Sequence, residues 1–155
     1  LLILCLAVVQ PTPLYSAQYV IPLSGMLLGN SLSGNIVALQ NLFSAYEERK
    51  MEYEAAISLG ASPYYASRPF VQNAMQKALA PILASMTTMG LVTLPGMMTG
   101  QILSGASPMV AIKYQLMIMI AIFTMMSISL TLCIQFTQRK ILTKEGRVSV
   151  SFLKR

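Results

Sequence analysis

Charge is missing from three long stretches of this chain: no Asp, Glu, Lys or Arg occurs in residues 1–46, 78–112 or 114–138. A transmembrane helix needs about 20 apolar residues, so each stretch can hold at least one span. Only 10% of the residues are charged and 55% are hydrophobic, whereas an ordinary soluble domain is about 25% charged. Eleven basic and five acidic side chains cannot cover a soluble globule of 16.9 kDa. The soluble class is excluded, and intrinsic disorder with it. The net charge of +6 sits beside apolar runs, where it reads as membrane orientation rather than nucleic-acid binding.

Leu1–Val9 is an apolar run stopped by Gln10-Pro11. At about 1.5 Å per residue it covers less than half of a hydrocarbon core of roughly 30 Å. It has no basic leader and no small-residue cleavage site, which argues against a signal peptide. The expectation is the tail of a span that begins upstream, in a C-terminal fragment of a longer membrane protein. Residues 10–18 read as a loop and 19–43 as the first complete span. There Gly25, Gly29 and Ser33 recur every four residues, a small-residue spacing that suits close helix packing. The amides of Asn30 and Asn35 must face protein or a polar pathway. The two cysteines, Cys5 and Cys133, lie in apolar stretches and build no disulfide framework.

Residues 47–77 hold the one mixed-charge stretch. From Tyr46 to Leu59 the pattern is helical, with Met51, Ala55 and Leu59 four apart. Gly60 suits a left-handed helix end, Ser62 an N-cap and Pro63 the first position of a new helix, so this segment reads as a structured elbow. Pro69 is expected to break or bend the second helix. Residues 78–98 read as a second complete span, interrupted by Pro81 and ending at Pro95-Gly96. Residues 99–108 then form a loop and 109–136 a third span. Residues 139–155 are a basic tail. The elbow carries four Lys and Arg residues and the tail six; the two loops carry none. By the positive-inside rule the elbow and tail face the cytoplasm, with the spans in an inner (plasma) membrane. Lys113, near the outer end of the last span, can snorkel to the headgroups. The expected fold is all-α: a polytopic helical membrane protein with three complete spans, a partial one and a cytoplasmic elbow.

Catalytic chemistry finds little support. The sequence has no His and no Asp, and its five Glu residues fall in the elbow and tail. A Ser–His pair and an HExxH metal site are therefore impossible within these residues. No phosphate-cradling GxxxxGK[ST] occurs either. No cofactor, resident metal or enzymatic activity is expected on this chain.

Two motifs carry a resemblance. Glu54-Ala55-Ala56-Ile57-Ser58-Leu59-Gly60, continued by Ala61-Ser62-Pro63 and Tyr64, resembles the EAA-xxx-G cytoplasmic loop of ABC-transporter permeases. The resemblance implies a short coupling helix docked on a separate cytoplasmic ATPase subunit, with Glu54, Ala55, Ala56, Gly60, Ser62 and Pro63 in the contact. Importers carry an apolar-x-Leu-Pro segment further on, where this chain has Phe70-Val71-Gln72-Asn73. The second motif, Leu91–Gly105 (LVTLPGMMTGQILSG), with Ser107-Pro108 and Lys113-Tyr114-Gln115, is similar to the hallmark segment of the FetB family of iron-export ABC-transporter permeases. Plant half-transporters linked to aluminium tolerance share it. Ile21–Met26 and Gly29-Asn30-Ser31 also resemble that family, and the likeness runs from about residue 20 to about residue 138. Ser107 stands where the family would have an acidic residue before the proline. Membership implies a multi-pass permease, paired with a cytoplasmic ATPase, dimeric, and exporting iron or another metal species.

The residues of the second motif fit transport on their own terms. Pro95 removes an amide donor, and Gly96 and Gly100 loosen the backbone. Broken backbone at membrane depth is tolerated where it packs in protein or lines a cavity. Pro95, Gly96, Met97, Met98 and Gln101 are accordingly the candidate substrate pathway. Thioethers favour soft ions over hard Fe(III), so direct methionine ligation of Fe(III) is not expected. Most of the twelve methionines are packing filler. Two other readings remain: an importer-type permease for a different small solute, and a multi-pass scaffold with no transport role.

Overall fold

The structure, a computed structural model, describes residues 17–88 and 95–141. The described residues are all-α: α1 Ala17–Glu48, α2 Lys50–Ser58, α3 Pro63–Thr88, α4 Gly96–Leu103 and α5 Pro108–Ile141. Two helices among them are long and apolar enough to cross a membrane, Val20–Glu48 within α1 and Pro108–Ile141. The expected partial span at 1–9 and most of the tail lie outside the described residues.

Buried positions on α1 recur at helical spacing: Leu23, Leu27, Ser31, Ala38, Leu42 and Ala45. On α5 they are Ala111, Ile118, Ile122, Met126, Leu130, Ile134 and Gln138. Steps of three, four and seven keep one stripe inward. The described residues fall into two compact units: residues up to Ser33 with Leu79–Ser127, and Gly34–Ala78 with residues from Ile128 on. The first unit packs Leu23 and Leu27 of α1 on Ile118, Ala121 and Ile122 of α5, with Ile82 and Met97 at the margin. The second buries Leu42, Ala45 and Tyr46 of α1 with Tyr53 of α2 and Ala66, Phe70 and Ala74 of α3.

Several polar side chains are met within the helices or between them. Asn30 Nδ2 donates to the Met26 carbonyl at 2.7 Å, and Asn41 Nδ2 to the Val37 carbonyl at 2.8 Å. Asn35 Nδ2 reaches across to Ser129 Oγ at 2.7 Å. Thr124 and Ser127 donate to carbonyls four residues back. Such back-bonding is how a hydroxyl sits in apolar surroundings without an orphaned donor.

Several boundaries differ from those read in the sequence. The first long helix runs five residues past position 43, to Glu48. Helix α3 continues through both Pro69 and Pro81, so Pro69 does not break it. Each proline forfeits one ladder bond. Ala66, Phe70, Ala74 and Ala78, buried four apart, hold the helix across the first gap. Pro95 opens a helix: it stands at the N-cap of α4 in extended conformation, with φ −62° and ψ 136°. The loop expected at 99–108 is helical as far as Leu103.

The same four residues turn the chain twice. Gly60-Ala61-Ser62-Pro63 joins α2 to α3, and Gly105-Ala106-Ser107-Pro108 joins α4 to α5. Both glycines are left-handed, with φ 89° and 95°. At the first corner Gly60 N donates to the Ile57 carbonyl at 2.9 Å and Ala61 N to Ala56 at 3.0 Å; at the second, Gly105 N donates to Ile102 and Ala106 N to Gln101, both at 3.0 Å. This paired closure is the Schellman arrangement, and it satisfies carbonyls that a bare helix end leaves open. Proline then begins the next helix, where its missing N–H has no ladder partner to lose.

Candidate functional site

The elbow is built on a bend rather than a loop. Arg49 leaves helical geometry at φ −112°, ψ 29°. Arg49 N still donates to the Ala45 carbonyl at 3.0 Å, and Tyr53 N to the Arg49 carbonyl at 3.2 Å. The chain thus turns from α1 into α2 with little of its hydrogen bonding lost. One face of α2 is anchored. Tyr53 is buried edge-on to Tyr46, with ring centroids 5.8 Å apart, and Tyr46 is edge-on to Phe70 at 5.3 Å. Such edge-to-face pairs add about 0.5–1.5 kcal/mol each beyond the area they bury. Arg49 lies over the Phe70 ring, 5.2 Å from its centroid, and pairs with Glu52.

That pairing sets the local electrostatics. The hydrogen bond from Arg49 holds the Glu52 carboxyl below its ordinary range and raises the Arg49 guanidinium in turn. Burial pushes the Tyr53 phenol up, and the neighbouring Tyr46 adds to the rise. Tyr53 therefore stays neutral at physiological pH, as a ring wedged among rings requires.

The opposite face of α2 is open. Met51 is 87% exposed and Leu59 88%; Glu54, Ala55, Ser58 and Gly60 are exposed with them, and Ala56 is half-buried. Lys50 pairs with Glu54 at 3.6 Å. Beyond the corner, Tyr65 N donates to Ser62 Oγ at 3.3 Å and Ala66 N to the Ser62 carbonyl at 3.0 Å. Ser62 is thus an N-cap bonding the third residue of α3, with Pro63 the first. Tyr64 and Tyr65 are exposed just after it. The structure gathers Glu54, Ala55, Ala56, Gly60, Ser62 and Pro63 on one short helix and its closing corner, with exposed Met and Leu side chains near its two ends.

The candidate pathway residues fall on α4. Thr99 N and Thr99 Oγ1 both donate to the Pro95 carbonyl, at 3.0 and 3.2 Å. Met97 packs against the core of the first unit, and Met98 is half-buried. Gln101 stands four residues after Met97, with a buried Oε1 that has no hydrogen-bond partner. A Cβ added at Gly96 or Gly100 would meet nothing within 4 Å. Leu91–Leu94 of the same motif lie outside the described residues. Gly25 and Gly29 on α1 likewise have nothing within 4 Å of an added Cβ, and Ser33 is exposed. Among the described residues no group of three or more His, Cys, Asp or Glu could hold a metal ion.

Sequence reasoning missed the anchor of the elbow. Tyr46 and Tyr53 stand seven apart, a spacing that would have put both on one stripe. Phe70 and Gln138 gave no such sign, because their partners are distant in the chain.

The profile of the uncharacterised protein family UPF0014 matches residues 1–142. The chain is 43% identical over 119 residues to the UPF0014 membrane protein YjkA of Bacillus subtilis, covering 77% of this chain and 46% of that protein. It is 35% identical over 136 residues to the Probable iron export permease protein FetB of Escherichia coli, covering 88% of this chain and 52% of the relative. With Protein ALUMINUM SENSITIVE 3 of Arabidopsis thaliana it shares 39% identity over 105 residues, 68% of this chain and 38% of that protein. The chain spans about half the length of the bacterial relatives it matches. No solved structure matches it. A profile matched from residue 1 to residue 142, on long apolar helices without strands among the described residues, makes this chain a member of the UPF0014 family of membrane proteins.

Proposed function

We infer that this chain is part of the membrane-spanning permease of an ABC-type transporter that exports iron or another metal species, driven by ATP hydrolysis on a separate cytoplasmic subunit. The observation that carries the reading is the one-sided elbow. Helix α2 is fixed from behind by Tyr53 and presents Met51, Glu54, Ala55 and Leu59 outward. A rigid short helix with an open face is what a soluble motor needs in order to push on a membrane bundle. Small Ala55 permits close approach, and Glu54 offers a charge for orientation.

The metal assignment leans on the relative named an iron export permease. The pathway is assigned to Pro95, Gly96, Met97, Met98 and Gln101, where an unpaired amide oxygen and two thioethers lie on one helix. The elbow and tail face the cytoplasm of an inner membrane, as their basic residues require. The permease acts as a homodimer, and Gly25, Gly29 and Ser33 on α1 are the surface left for close helix contact.

The test is co-purification of the full-length protein. Wild type should retain a nucleotide-binding subunit, and Glu54→Lys or Gly60→Pro should lose it. Retention by both variants would remove the coupling role from this elbow. Cells lacking the protein should hold more iron under iron load; unchanged metal content would remove the export assignment.

A further inference from the structure

The second unit buries two polar side chains from helices far apart in sequence, and they meet. Gln138 Nε2 on α5 donates to Ser67 Oγ on α3 at 3.0 Å. Ser67 Oγ in turn donates to the Tyr64 carbonyl at 3.0 Å. Ser67 is fully buried, and Gln138 is 8% exposed. The two bonds run from α5 to the first turn of α3, directly behind the Gly60–Pro63 corner. The Tyr46 hydroxyl is enclosed beside both side chains.

The position of this pair is unusual in two respects. Every other buried residue along the α5 stripe is apolar. A buried amide in that row destabilises the fold unless its bonds are made, so a leucine at 138 would be the simpler solution for packing alone. The pair also reaches α3 where its own ladder is short. Pro69 has no N–H to give the Tyr65 carbonyl four residues back, and the Ser67 hydroxyl is turned onto the Tyr64 carbonyl. The start of α3 thus lacks one rung of its own ladder, and a bond from α5 meets it there.

We propose that Gln138 and Ser67 form a coupling tie, a positioning pair through which load applied at the α2–α3 corner passes into helix α5. The tie rests on the permease reading above. Without it, the corner could pivot on the weakened turn at 64–69, and a push on α2 would be spent in bending the elbow. With it, the corner and the last long helix move together.

The experiment uses the full-length protein reconstituted in vesicles with its ATPase subunit, with Fe2+ as the transported probe. Gln138→Leu removes the donor at similar volume, and Ser67→Ala removes the acceptor. Each should leave co-purification of the ATPase unchanged and lower the iron moved per ATP hydrolysed by about tenfold, within the usual range of coupling between sites. The double variant should be no worse than either single, because both break one link. Hydrogen exchange supplies the second readout: protection should fall at residues 63–69 and persist in α1. Unchanged coupling in both singles overturns the tie. So does a parallel loss of exchange protection in every helix, which would mark the pair as a plain stabiliser. If wild type itself moves no Fe2+ with ATP, the permease reading fails and the tie with it. If wild type is coupled and the variants are equally coupled, the tie alone fails.

Discussion

Tyr53 illustrates how one side chain can decide the geometry of an elbow. It fixes α2 by its ring, and its phenol is held above the ordinary value of 10.0 chiefly by burial. A raised acid favours its neutral form in the folded state. The stabilisation is therefore fully present below about pH 10 and is lost as the pH rises through the raised value. A phenolate absorbance titration should show Tyr53 ionising above the ordinary phenol value, together with loosening of the elbow. Tyr53→Ala should reduce that late phase and cost about 3–5 kcal/mol, as deletion of a buried aromatic does. The Arg49–Glu52 pair runs the other way. Glu52 is lowered, so its contribution holds above the ordinary carboxylate range and fades as the pH falls through the lowered value. Being at the surface, it should scarcely move thermal unfolding, and Glu52→Gln is expected to leave the melting temperature unchanged. Leu42, fully buried in the same cluster, should cost about 2–5 kcal/mol on truncation to alanine, read by denaturant unfolding in detergent.

Among the elements, α3 is the one whose behaviour departs most from its sequence. Proline usually ends or kinks a helix, yet α3 passes through two of them. Propensity is local, while the packing of Ala66, Phe70, Ala74 and Ala78 is not, and only the first can be read along the chain. Pro69 is exposed, so Pro69→Ala can restore the bond to the Tyr65 carbonyl without a clash. It should raise the stability of α3 by up to about 3 kcal/mol, seen as slower hydrogen exchange at 65–70. The Gly60–Pro63 corner was legible for the opposite reason. Glycine, serine and proline each answer a requirement of the backbone alone, so the end of α2 and the start of α3 could be placed to the residue. The helix at Gly96–Leu103 was not, because Pro95-Gly96 reads equally as a stop and as a start. Gln138 was illegible for want of any local clue to Ser67.

Across the whole molecule, the uncharged stretches stated the class directly. Long all-α elements followed from a solvent argument that needs no knowledge of contacts, whereas the family had to be read from motifs. The candidate docking residues were legible as a set because they share one short helix and its corner. The candidate pathway residues could be named by type, but how each of them packs depends on neighbours that no spacing encodes. Topology can be tested at this scale. Cysteines placed at Met51 and Leu59, both highly exposed, should react with a membrane-impermeant thiol reagent only from the cytoplasmic side. A cysteine at Met109, at the start of α5, should react only from the outer side. Labelling of all three from one face would overturn the alternation of spans.

The twin Gly-Ala-Ser-Pro turns bear on where a hairpin can live. A reversal that closes its helix-end carbonyls with the amides of its own next two residues asks little of water. It can therefore rest among lipid headgroups, where free hydration is scarce, as readily as in open solution. One tetrapeptide suits either surrounding, so the Gly105 turn needs neither charge nor a covering loop to remain shut.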